Sequence, residues 1–137
     1  MGRLQIKEDL SSFFANHPTV LAAYLFGSTA SQTARVDSDV DVALRLDRNL
    51  SADQQLEIRL KLMDDVETVF KRSADIVILN NASLKMIRQV LTRGELLFVR
   101  DERAERLYAI NKQKEYFDFK YYIEKDRQEL KTFFGAA

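Results

Sequence analysis

The chain has 137 residues, of which 46% are hydrophobic and 31% charged, as is typical of a single soluble globular domain. Its 21 basic and 21 acidic residues give a formal net charge of zero, which argues against general nucleic-acid binding. Because the chain has no cysteine, it excludes thiol nucleophiles, disulfides and cysteine-bound zinc. It has neither an apolar run long enough to cross a membrane nor a signal-peptide pattern, which predicts a cytoplasmic protein without membrane association.

The first predicted elements are a helix and a buried strand. Apolar residues at helical spacing predict a helix over 4–17, with Pro18 beyond its end. An apolar run over 20–26 predicts a strand that ends at Gly27. The small polar residues of 29–38 predict a short helical turn followed by a loop.

The next segment, 39–46, alternates between apolar and other residues, which predicts a second strand with two different faces. One face carries the residues Val40, Val42, Leu44 and Leu46. The opposite face carries Asp39, Asp41, Ala43 and Arg45. Two aspartates therefore share one face of a strand that starts with an acidic pair.

Helices and strands continue to alternate along the chain. Ser51 and Gln54 form a capping-box pattern that opens a helix extending to residue 72. A third strand is predicted over 74–79. Ser83 then caps a helix that ends at Gly94, and a fourth short strand follows over 96–99. Strands joined by helices predict an α/β or α+β fold, with helices packed on a small sheet.

The last segment, 101–134, is predicted to be helical with a break near Asn111. It carries two apolar stripes at helical spacing. The first stripe consists of Tyr116, Phe119, Ile123, Leu130 and Phe133. The second consists of Leu107, Ile110, Phe117 and Tyr121. We expect one stripe to cover the sheet and part of this aromatic tail to contact another protein, because aromatic residues are favoured at interfaces.

Three aspartates are candidate metal ligands and catalytic residues. Asp39 and Asp41 project from the same face of the strand, and their Cα atoms are about 6.6 Å apart at a rise of ~3.3 Å per residue, so their negative charges repel. Asp75 starts the third strand and reaches the same place if that strand neighbours the second. Oxygen ligands of this kind suit Mg²⁺ or Mn²⁺, and two-metal phosphoryl transfer needs such a group. Taken singly, each aspartate also fits a solvated surface residue.

The turn formed by Gly27 and Ser28 is a candidate nucleotide-binding site. Glycine at a strand end lets the backbone approach a ligand closely or adopt positive φ. If Ser28 begins a helix, its hydroxyl and the following amides face a phosphate. The alternative is a plain strand-to-helix turn in which Ser28 is only an N-cap. The downstream aspartates favour the phosphate-binding interpretation.

This combination of motifs resembles the minimal nucleotidyltransferase (MNT) family of the DNA polymerase β-like superfamily. The resemblance is carried by the segment 26–28, ten intervening residues, the segment 38–42 and the later segment 75–77, with a further similar stretch over 90–98. It covers roughly residues 5–100. It implies a nucleotidyltransferase fold over 1–100, with 101–137 as a C-terminal helical extension of the same domain.

The resemblance implies that the protein binds ATP and Mg²⁺ and transfers a nucleoside monophosphate. By analogy with the family, Asp39 and Asp41 bind both metal ions, Asp75 completes the catalytic one and helps to activate the acceptor, and Ser28 contacts the triphosphate. Many relatives carry an Arg-Gly pair where this chain has Ser31 and Gln32, so the turn before Arg35 departs from the family pattern.

A chain of this length most resembles the antitoxins that are encoded beside HEPN-domain ribonuclease toxins. In that group, the implied reaction is transfer of AMP from ATP to a tyrosine of the toxin, which blocks the ribonuclease. The implied assembly is a hetero-oligomer with the toxin, and a homodimer is an alternative. Two other functions stay open. The chain could neutralise its toxin mainly by covering it, or it could transfer a nucleotide to a small molecule.

Overall fold

The computed structural model describes residues 3–27 and 39–135. In the described part, four strands form one mixed sheet with helices on both faces. The elements are α1 (Arg3–Ala15), β1 (Val20–Phe26), β2 (Val40–Leu46), α2 (Ala52–Phe70), β3 (Ala74–Ile78), α3 (Leu84–Arg93), β4 (Glu95–Val99) and α4 (Glu102–Phe133), with a 3₁₀ turn over Leu79–Asn81. The α/β class expected from the sequence is therefore confirmed. The turn and loop expected over 29–38 lie outside the described residues.

The strand order is β3-β2-β1-β4, so β1 and β2 are central and β3 and β4 are the edges. β1 is antiparallel to both β2 and β4, whereas β2 and β3 are parallel. A parallel pair needs a crossover connection, and α2 supplies it. As a result, the first residues of β2 and β3 meet at the same end of the sheet, beside the last residues of β1.

The capping signals explain where α2 and α3 begin and end. Ser51 accepts a hydrogen bond from the Gln54 backbone and Gln54 bonds back, so the predicted capping box is present. α2 ends at Phe70 because Lys71 adopts a left-handed conformation with φ 55°. Ser83 caps α3 as expected, and Gly94 follows its last residue.

The apolar face of β2 lies in the main core, packed between the sheet and the helices α1 and α2. Its residues Val40, Val42, Leu44 and Leu46 are all fully buried. Burying a side chain of this size contributes about 1.5–3 kcal/mol, so four of them outweigh the repulsion between aspartates on the opposite face. The strand is thus fixed in register by its apolar side, which determines where its acidic side lies.

The opposite face of the sheet is covered by α3 and by the first turns of α4. Its core consists of Ala22, Tyr24, Ala43, Leu79, Ile87 and Val90. Phe26 and Tyr108 pack against this group from the side. Because Asp41 lies on this same face, α3 and α4 flank the surface that carries the acidic residues.

Two expectations for the C-terminal segment are wrong. α4 is one continuous helix of 32 residues with no break at Asn111, because nothing between Glu102 and Phe133 interrupts helical hydrogen bonding. Neither apolar stripe covers the sheet. α4 contacts the sheet through its residues Glu105 and Tyr108. It contacts α3 where Tyr116 packs against Arg88, a residue of α3. The guanidinium of Arg88 lies 4.6 Å from the ring centre of Tyr116.

Candidate active site

Gly27 follows the last residue of β1 and lies against Asp41 of β2. Its φ is +71°, a conformation that side chains disfavour. A Cβ at this position would overlap Asp41 Oδ2 and stand 3.0 Å from Asp41 Cγ. Glycine at position 27 therefore suits the backbone conformation, and any larger residue there would displace the Asp41 carboxylate from its position.

Asp41 and Asp75 are direct register partners on the parallel strands β2 and β3. Phe26 is the partner of Asp41 on its other side, in β1. The second and third strands are therefore neighbours, which is the condition under which Asp75 was expected to lie beside Asp39 and Asp41. Partner residues on neighbouring strands project from the same face, so Asp41 and Asp75 lie side by side.

The pKa of Asp41 is raised by its surroundings. Partial burial raises the pKa of the Asp41 carboxyl, and the neighbouring carboxylates of Asp75 and Asp39 raise it further. Asp39 lies one residue before β2 and is exposed, and Asp75 is also exposed. The negative charges of Asp39 and Asp75 therefore oppose ionisation of Asp41, which is the unfavourable interaction that a cation at this site would relieve.

The carboxylates of Asp39, Asp41 and Asp75 share one end of the sheet, but they do not form a complete set of metal ligands. Within residues 3–27 and 39–135, no group of three or more His, Cys, Asp or Glu side chains is arranged to hold a metal ion as it stands. The donors fit Mg²⁺ or Mn²⁺ in kind, since they are oxygens that carry mutually repelling charges. Ser28, the predicted phosphate contact, lies outside the described residues.

A buried polar network lies further along the same face. Glu105 of α4 is 5% exposed and accepts hydrogen bonds from Tyr24 Oη and from Arg45 Nε, the latter at 2.6 Å. Arg45 also lies 4.8 Å from the centre of the Tyr108 ring. Burial and the bond to Glu105 raise the pKa of Tyr24, so this phenol stays protonated and donates. Burial raises the pKa of Tyr108 to about 12.

Arg59 of α2 is a residue near the site that the sequence did not indicate. Its Nε donates to the Ile76 carbonyl at 2.5 Å, and its Nη2 lies 3.7 Å from Asp75 Oδ1. No pattern in the sequence marks it, because a basic residue on an amphipathic helix is common. Only the packing of α2 beside β3 brings it to Asp75.

Residues 8–103 match the family model described as "Polymerase beta, Nucleotidyltransferase". The chain belongs to this nucleotidyltransferase family. A curated relative, the protein adenylyltransferase MntA of Shewanella oneidensis, is 32% identical over 96 residues. That match covers 69% of this chain and 65% of the relative, so the chain spans less than two thirds of the relative's length.

Solved structures share the fold over nearly the whole chain. A chain of a toxin–antitoxin crystal structure with AMP-PNP has a TM-score of 0.70 at 22% identity, covering 95% of this chain and 98% of the other. A chain from the complex of a tri-AMPylated Shewanella oneidensis HEPN toxin with an MNT antitoxin has a TM-score of 0.67 at 22% identity, covering 92% and 97%. Among the described residues of this chain, no helix has the length and apolar character needed to span a bilayer.

Proposed function

We propose that this chain is an antitoxin that transfers AMP from ATP to a tyrosine hydroxyl of a HEPN-domain toxin and thereby neutralises the toxin. The observation that carries the proposal is the meeting of Gly27, Asp41 and Asp75 at one end of three adjacent strands. Membership of the nucleotidyltransferase family and the similarity to an adenylyltransferase support the same activity. The proposal includes a cytoplasmic location, where ATP is available.

In the proposed reaction, the tyrosine oxygen forms a bond to the α-phosphorus of ATP while the bond from that phosphorus to the α,β-bridging oxygen breaks. AMP stays on the tyrosine and pyrophosphate leaves. The proton of the tyrosine passes to Asp75 and then to solvent, which is the role of a general base. Gly27 lets the backbone approach the phosphates, and Ser28 bonds to the triphosphate.

Asp39, Asp41 and Asp75 would hold Mg²⁺, or Mn²⁺ in its place, which neutralises the triphosphate and lowers the pKa of the attacking hydroxyl. The raised pKa of Asp41 supports this assignment, because burial and two like charges favour either a proton or a cation there. The divalent ion and the three ligands are part of the proposal together.

The test is a transfer assay that offers a HEPN-domain toxin as the acceptor protein. ATP labelled at the α-phosphate should label a tyrosine of that protein when Mg²⁺ is present, whereas ATP labelled at the γ-phosphate should not. Asp41→Asn should abolish the labelling, and Asp64→Asn, which removes an exposed carboxylate from α2, should leave it unchanged. Transfer by the Asp41→Asn protein at the normal rate would contradict the assignment.

A second function, neutralisation of the toxin mainly by binding, is favoured by one observation. The second half of α4 exposes large hydrophobic side chains, including Phe133 at 81% and Tyr121 at 63%. Exposed apolar surface of this kind marks interaction sites. If the Asp41→Asn protein still neutralises the toxin fully at equal concentration, covering rather than chemistry is the dominant mechanism.

A further inference from the structure

Arg59 reaches around the outer edge of the sheet to Asp75. β3 is an edge strand, so the carbonyl of Ile76 faces away from β2 and accepts the hydrogen bond from Arg59 Nε. This bond anchors the guanidinium to the backbone of the residue that follows Asp75. Nη2 then carries positive charge to 3.7 Å from the Asp75 carboxylate.

Asp75 therefore lies between groups of opposite charge. Asp41 is its partner on the inner side, and the interaction between these two carboxylates is unfavourable. Arg59 attracts Asp75 from the outer side. At 3.7 Å, the contact between Arg59 and Asp75 is electrostatic, since it is too long for a hydrogen bond. Both side chains are partly exposed, at 33% and 59%, so water and other cations have access to the pair.

We propose that Arg59 is a positioning residue that acts as the counter-cation of Asp75 and competes with a divalent cation for that carboxylate. The inference rests on the proposed function, because it assumes that the aspartates are the ligands of the divalent ion. It adds a residue that tunes the strength of cation binding. When no divalent cation is bound, the positive charge of Arg59 offsets the repulsion among the carboxylates. When a divalent cation binds, it replaces Arg59 as the main positive charge beside Asp75.

This competition fixes the sign of two measurable effects. Removing the positive charge should tighten binding of Mn²⁺, used alone as the probe, because one repelling charge is lost; we expect Arg59→Gln to lower the Kd about threefold to tenfold. The same variant without divalent cations should be less stable, with a Tm lower by about 2–4 °C. A residue that only supported the fold would lower the Tm without tightening Mn²⁺ binding.

The experiment compares Arg59→Gln with Arg59→Lys, Asp75→Asn and the double variant of Arg59→Gln with Asp75→Asn. Free Mn²⁺ is measured by its electron paramagnetic resonance signal, and Tm is measured in EDTA. Lysine at position 59 keeps the charge, so its Kd should stay within about twofold of the wild type. In the Asp75→Asn background, Arg59→Gln should no longer change the Kd. Lys61→Gln, which removes an exposed cation from the same helix, serves as the control.

Several results would overturn the proposal. Weaker or unchanged Mn²⁺ binding by Arg59→Gln contradicts the competition, as does an equal tightening in the Asp75→Asn background. If Lys61→Gln tightened Mn²⁺ binding by the same factor, the change in the net charge of the protein would explain the effect without any role for Arg59. Failure of the proposed function is seen separately, because the wild-type protein would then transfer no AMP or bind no Mn²⁺, whereas failure of the Arg59 proposal alone leaves both intact.

Discussion

The backbone of Gly27 lies against the carboxylate of Asp41, so the end of β1 and the start of β2 are fitted to each other at the candidate active site. A methyl group at position 27 would overlap Asp41 Oδ2. A residue that carries it would also have to adopt φ +71°, which costs on the order of 1 kcal/mol. The glycine thus maintains the position of the acidic residue as well as the shape of the turn.

Gly27→Ala should therefore lower stability by about 1–3 kcal/mol and reduce AMP transfer at least tenfold. Urea denaturation gives the first quantity and the labelled-ATP assay gives the second. Gly135→Ala is the matched control, since Gly135 has φ +64° but no atom within 4 Å of an added Cβ. Normal activity of the Gly27→Ala protein would show that the Asp41 carboxylate can move without loss of function.

Asp41→Asn should raise the thermal stability at neutral pH in EDTA. The pKa of this carboxyl is raised above 3.8 in the folded protein, so its contribution to stability is present below pH 3.8 and is lost as the pH rises through the higher folded value. At pH 7 the ionised group destabilises the fold. Its removal should add on the order of 1 kcal/mol after solvent screening, or roughly 4 °C in Tm.

The gain in Tm should shrink toward zero near pH 3, where the wild-type carboxyl is protonated. Melting curves between pH 3 and pH 8 provide this test, with Asp118→Asn as a control that removes an exposed aspartate of α4. A gain that is independent of pH would assign the effect to side-chain packing rather than to the charge of Asp41.

The sequence was sufficient to predict the four strands and the shared face of Asp39 and Asp41, because these follow from local patterns. Alternation along β2 assigns Asp41 to the face opposite Val42, and burial of Val42 enforces that assignment. The sequence left Asp75 conditional on β3 lying beside β2, an arrangement that a crossover through α2 makes natural, and the structure supplies the register that pairs Asp75 with Asp41. The assigned roles of these residues stay predictions.

The parts that could not be predicted depend on how separate elements pack. Arg59 reaches Asp75 only because α2 lies along β3, and no local pattern encodes that contact. Glu105 is buried because it meets Arg45 and Tyr24, residues that are 60 and 81 positions distant in the chain. The break expected at Asn111 was wrong because polar residues do not interrupt a helix that has no proline or glycine.

Glu105→Gln should destabilise the protein by about 2–4 kcal/mol, because it leaves the largely buried guanidinium of Arg45 without the counter-charge of the buried Glu105. Arg45 Nη2 lies 2.5 Å from Glu105 Oε1, and its side chain is only 17% exposed. The shift is measured as a lower urea midpoint. Glu102→Gln removes the corresponding charge from an exposed ion pair of the same helix and should change stability by less than about 1 kcal/mol.

The same network predicts coupling between Tyr24 and Glu105. Tyr24→Phe removes the hydroxyl that donates to Glu105, and its cost should be about 1–2 kcal/mol in the wild-type background. In the Glu105→Gln background, the cost should fall because the charged acceptor is gone. Equal costs in the two backgrounds would mean that the hydroxyl and the carboxylate contribute independently, contrary to the geometry.

Removal of residues 118–137 should leave the domain folded while weakening its association with another protein. Every described side chain from Asp118 to Gly135 is exposed, so no core contact is lost and the Tm should change by less than about 3 °C. The truncated segment contains Phe119, Ile123 and Phe133, which expose large apolar areas.

Light scattering after size-exclusion chromatography, with and without the toxin, distinguishes a second copy from the toxin as the partner. If the shortened chain assembles as the full chain does, the aromatic tail is not the interface, whereas a large fall in Tm would show that α4 supports the fold beyond Phe117.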